Sequence, residues 1–183
     1  MALKRHIFVV LIVQLMFSPV ANGGEFGNFF FKGKEQNSIN ASAKALQGIE
    51  SVVSAIRLRE LKKFGEGDKA LDSAVGSLKE ASGMIEKIEI GIGEDKEIPW
   101  NKIPNHERNI VLSMNGILNH KGLPNKISEL LKMFSESTYH LANTISQNLK
   151  KGPEPIFPQI SPEFSLYLRF GGAISDIARI SMA

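Results

Sequence analysis

Histidines, carboxylates and serines are the side chains that could do chemistry here, and their spacing decides which of them can meet. The 183-residue chain holds four histidines, 19 acidic side chains and no cysteine. Without cysteine there is no disulfide, thiolate metal site, attached c-type haem or thiol nucleophile. His106 and His120 fall at the two ends of one expected helix. They would stand about 20 Å apart at 1.5 Å per residue, too far to share a ligand. Glu136 and His140 are one helical turn apart. That spacing suits a hydrogen-bonded surface pair, and no further ligands can be named that would make it a metal site. Met84, Met114 and Met133 could ligate haem in a bundle, but helical methionines are core-filling residues first. Gly91-Ile92-Gly93 is followed by no Gly-Lys-Ser/Thr and preceded by no strand, so it is not a phosphate loop. Glu94-Asp95 reads as a carboxylate pair in a solvated turn. No serine elbow, His-Glu-x-x-His helix or dinucleotide fingerprint occurs. The expectation is a protein that is not an enzyme and holds no metal or cofactor.

Binding is the chemistry that remains. Trp100, Phe134, Leu141, Tyr167 and Phe170 are bulky and lie near expected helix ends or in the central connection. They are candidates to line a site for a lipid-like molecule between helices, and would serve equally well as dry core. Phe29, Phe30 and Phe31 in succession cannot share one face, which makes them a candidate contact with a membrane or partner. Arg57, Arg59, Lys62 and Lys63 crowd the last turns of the first expected helix. The helix dipole favours cations there, and the same cluster could attract anionic lipid or glycan. The formal net charge is +3, but without Lys4 and Arg5 the 22 basic side chains become 20 against 19 acidic ones. Such a balance gives no bulk attraction for nucleic acid.

The elements that must position these residues begin after a leader. Lys4, Arg5 and His6 precede the apolar run at 7–17, and Ala21-Asn22-Gly23 supplies small residues for cleavage. Residues 1–23 therefore read as a signal peptide, since the run is shorter than the ~20 residues of a spanning helix. A secreted or periplasmic location follows. The sequence Asn40-Ala41-Ser42 fits the glycosylation pattern but lies inside an expected helix start.

Residues 24–183 are expected to form one helical domain. A first helix at 38–64 carries Ile39, Ala43, Leu46, Val53, Ile56 and Phe64, widened by Ile49 and Val52. Gly65-Glu66-Gly67 reads as a break, with Asp68 capping a second helix at 69–90. Asn105 would cap a third at 106–121, and Gly122 would end it. Ile127, Leu130, Leu131, Phe134, Thr138, Leu141, Ile145 and Leu149 define one face of the helix at 124–150, around which the others must pack. A proline-rich crossover then leads to a last helix opened by Ser161-Pro162-Glu163.

The fold expected is all-α, an antiparallel bundle of four to five helices after a cleaved signal peptide. The function expected is an exported binding protein whose bundle encloses or presents a hydrophobic surface. Its partner would be a lipid-like small molecule or another protein. The competing expectation is a cell-surface or membrane-interacting protein acting through Phe29, Phe30 and Phe31 and the basic helix end.

Overall fold

The computed structural model describes residues 35–88, 95–149 and 157–182. The expected signal peptide at 1–23, the Phe29–Phe31 segment, Gly91-Ile92-Gly93 and the start of the expected proline-rich crossover lie outside the described residues. The described chain is all-helical, with α1 Glu35–Glu60, α2 Phe64–Glu86, α3 Asn105–Leu118, α4 Ile127–Leu149 and α5 Phe157–Met182. None of these helices is long and apolar enough to cross a membrane.

The first two helices form an antiparallel hairpin. Ala41, Ala45, Ile49, Val52 and Ala55 of α1 are buried along the seam with Leu71, Ala74, Leu78, Ala81 and Ile85 of α2. The expected α1 stripe is thus rotated: Ile49 and Val52 sit at its centre, Ala43 is exposed, and Val53 and Ile56 are only half-buried. Small residues let the backbones approach. At Gly48 a Cβ would come within 2.7 Å of the Leu78 Cγ.

The break between the two helices also differs from expectation. It falls at residues 61–63, and Gly65-Glu66-Gly67 belongs to the first turn of α2. The Lys63 N–H donates to the Leu58 carbonyl at 2.9 Å and the Lys62 N–H to the Arg59 carbonyl at 3.0 Å. This is a Schellman ending with Lys62, at φ 60°, in the left-handed position that glycine usually fills. Gly67 is needed for another reason: a Cβ there would meet the Arg59 Cγ at 2.8 Å and the Ala55 carbonyl at 3.3 Å. Asp68 does not cap the helix; it accepts the Arg59 guanidinium across the hairpin.

α4 is the central element. Its buried residues include Ile127, Leu130, Leu131, Phe134, Thr138, Leu141 and Ile145, as the spacing predicts, together with Met133, Ser135, Ser137, Ala142 and Asn148. The wider buried arc exists because α4 is flanked by α2 on one side and α5 on another. Asp95 is no solvated bystander. Its carboxylate takes the Ser128 N–H at 2.9 Å and the Ser128 hydroxyl at 2.8 Å, capping the first turn of α4 from a remote loop. An antiparallel bridge pairs Glu97 with Lys126 in the same place.

Pro124 consequently lies before the helix instead of in its first turn. Asn105 is the first residue of α3, preceded by Pro104, and no side chain caps it. That helix ends at the left-handed Asn119, before Gly122.

α5 starts earlier than Ser161-Pro162-Glu163 suggests, at Phe157, with Pro162 inside the helix. Ile160, 1% exposed, explains the extension. Burying that side chain is worth about 1.5–3 kcal/mol, comparable with the ~3 kcal/mol that an interior proline costs.

Candidate functional site

Phe134, Tyr167 and Phe170, three of the aromatic candidates, converge on the face where α4 meets α5. Phe134 stacks on Tyr167 with ring centroids 5.8 Å apart, and Phe170 tilts against Phe134 at 6.4 Å. The Thr138 hydroxyl donates to the Phe134 carbonyl at 2.8 Å, so the Tyr167 hydroxyl, 3.0 Å away, must be the donor to Thr138. Burial pushes the Tyr167 phenol up to about 12. Leu141 is buried in the same core. Trp100 is half-buried over the loop end, its indole N–H donating to the Pro124 carbonyl at 2.6 Å. Arg108 braces that loop by donating to the Trp100 and Ile103 carbonyls at 2.6 and 3.1 Å.

A cavity lies on a different side of α4. It is an open groove of about 740 Å³ where the C-terminal part of α2, the end of α3 and residues 128–143 of α4 come together. Ile85, Ile88, Ile117, Leu118 and Leu131 supply its apolar surface, and none of the five expected ligand residues lines it. Lys132, Glu136, Tyr139, His140 and Asn143 line it along successive turns of α4.

Two serines hold its walls together. The Ser82 hydroxyl donates to the Ser135 carbonyl and the Ser135 hydroxyl to the Ser82 carbonyl, both at 2.9 Å. With both protons so used, the 3.0 Å approach of the two hydroxyl oxygens is a contact between acceptors. Lys79 stands 5.8 Å above the Tyr139 ring, one turn further along the same helix pair.

The helical Glu136–His140 spacing does not make a pair. Glu136 instead accepts His120 at 2.7 Å from the end of α3, and also faces Lys132 at 4.0 Å. His140 faces Glu163 of α5 at 3.9 Å. Each imidazole therefore connects two helices. Among the described residues no three histidines or carboxylates converge as a metal site would require. Met114 and Met133 are buried in the core and Met84 packs against it.

The basic helix end is only partly free. Arg59 is tied to Asp68, and Lys63 lies 3.5 Å from Glu66. Arg57 and Lys62 are exposed. The structure thus splits the four basic candidates into two with partners and two facing solvent.

No protein-family model, curated protein or solved structure matches the chain. Among its described residues it is an all-helical protein with a sealed aromatic core on one side of its central helix. On another side is an open groove lined by aliphatic side chains of α2, α3 and α4 and by polar side chains most numerous on α4.

Proposed function

We propose that this chain is a non-enzymatic, exported binding protein and that the α2–α3–α4 groove takes a lipid-like small molecule. The groove carries this reading: a volume of about 740 Å³ with five aliphatic side chains in its lining falls in the ~300–1,000 Å³ range of small-molecule sites. Ile85, Ile88, Ile117, Leu118 and Leu131 would take an alkyl or ring body. The polar side chains near them are mixed in sign. Glu86 and Glu136 stand beside Lys132, while Asn119, Ser128, His140 and Asn143 offer hydrogen-bonding groups without a fixed charge. Such a rim suits a hydroxyl- or amide-bearing head better than a strongly charged one, for which a cluster of one sign is expected.

The test is titration of the purified protein with Nile red, a neutral apolar dye, followed by displacement with a panel of neutral lipids. Stoichiometric binding is expected. Ile88→Trp/Ile117→Trp, at two half-buried wall positions, should fill the groove and weaken binding about tenfold or more, the loss of roughly one good apolar contact. Phe170→Leu, in the sealed core, should leave it unchanged. Absence of stoichiometric binding, or equal binding by the groove-filled variant, would refute the reading.

A further inference from the structure

The α1–α2 turn carries two large apolar side chains that the fold leaves in solvent. Leu61 is 61% exposed and Phe64 47%, and they flank the two lysines of a three-residue turn. Of the four large hydrophobic residues exposed among the described residues, these two alone adjoin one another, Leu112 and Tyr139 lying far along the chain. Two neighbouring apolar side chains at a convex tip do nothing for the core.

Charge singles out the surface that would accept them. Across residues 57–69 five cations (Arg57, Arg59, Lys62, Lys63, Lys69) oppose three carboxylates (Glu60, Glu66, Asp68). Asp68 and Glu66 are engaged by Arg59 and Lys63. Arg57, one helical turn before Leu61, and Lys62, next to it, are both exposed and form no ion pair among the described residues. Apolar side chains at the very tip with free cations beside them match the layering of an anionic bilayer, whose phosphates lie just outside its acyl region.

We infer that the α1–α2 turn docks on anionic lipid membranes, with Leu61 and Phe64 entering the interface and Arg57 and Lys62 meeting the phosphates. The site is distinct from the groove and stands whether or not the groove binds a ligand. Ser82 pairs with Ser135 near the other end of α2, and Ile85 and Ile88 follow. From Phe64 to Ser82 along α2 is about 27 Å at 1.5 Å per residue. Docking by the turn therefore keeps the groove in water.

Vesicle co-sedimentation tests this with phosphatidylcholine alone and with one-third phosphatidylglycerol. Binding is expected only to the anionic vesicles and should weaken as salt is raised. Leu61→Ser/Phe64→Ser should weaken it about tenfold or more, and Arg57→Gln/Lys62→Gln about thirtyfold, given the usual contribution of a cation at such a surface. All four positions are exposed, and unchanged helical circular dichroism would establish that the variants fold.

Because the chain has no cysteine, Phe64→Cys and Lys87→Cys each accept one nitroxide label. The label at 64 should become shielded from an aqueous relaxation agent on vesicles, and the label at 87 should not. A protein that ignores anionic vesicles would overturn the inference. So would binding unaffected by both double substitutions, or shielding of position 87 instead of 64, which would assign docking to another surface.

Discussion

Replacing Gly48 and Gly76 separately with alanine would measure how closely α1 and α2 approach. Both glycines are inside helices, where alanine is favoured by about 1 kcal/mol. At Gly76 a Cβ meets nothing within 4 Å. Gly76→Ala should therefore gain nearly the whole ~1 kcal/mol. At Gly48 the new methyl would stand 2.7 Å from the Leu78 Cγ and 2.8 Å from its Cδ2. Leu78 is fully buried, and its Cγ is not a loose end that can swing away. Overpacking of this kind costs about 1–3 kcal/mol. After the helical gain, Gly48→Ala should range from neutral to about 2 kcal/mol destabilised. The two variants should then differ by about 1–3 kcal/mol, or several degrees in Tm at about 2–4 °C per kcal/mol for a chain of this size. Thermal and urea unfolding followed by far-ultraviolet circular dichroism would read the difference. If Gly48→Ala were stabilised as much as Gly76→Ala, the hairpin seam would be looser than described.

Other predictions probe the central helix and the turn. Tyr167 ionises at about 12 in the folded protein because it is buried, against about 10 when unfolded. Its contribution is thus fully present below pH 10 and is lost as pH rises from 10 to 12, reaching about 3 kcal/mol. Tyr167→Phe should cost about 1 kcal/mol near neutrality and flatten that alkaline loss, as pH-dependent urea unfolding would show. Ser82→Ala and Ser135→Ala should each cost about 1 kcal/mol. Their double variant should lose less than the sum by about 0.5 kcal/mol or more, and strict additivity in the cycle would deny that the two bonds support each other. Lys62→Gly should raise stability by about 1 kcal/mol by relieving the left-handed residue, and an unchanged melting temperature would argue against that backbone.

The central helix was legible because its apolar residues recur at the helical period over six turns, a signal that local spacing carries by itself. The hairpin turn was not. Glycines at 65 and 67 imitate a break, whereas the residue that ends α1 in a glycine-like conformation is a lysine. Phe64, assigned by its apolarity to the core of α1, instead opens α2 in solvent. Similarly, Pro162 has the type of a helix start, and only the burial of Ile160 shows why the helix begins before it. The aromatic candidates were recognisable by size, but size does not distinguish a ligand wall from a core, and Phe134, Tyr167 and Phe170 turned toward one another. The groove was hidden for a different reason. Its walls come from three separate segments, and the serines that join its α2 and α4 sides, Ser82 and Ser135, are 53 residues apart.

That separation has a consequence for the order in which the molecule assembles. Arg59 and Asp68, nine residues apart, clasp the α1–α2 hairpin through a short closure. Docking α2 on α4 must close a loop several times longer, and closure entropy rises with that length. Early folding should therefore yield the hairpin, with its turn already displayed, while the groove arises only when α4 arrives. Pulse-labelling hydrogen exchange would show α1 and α2 amides protected before those of α4; simultaneous protection would place the serine clasp in the nucleus itself. A chain arrested between those stages would present the turn without possessing a groove.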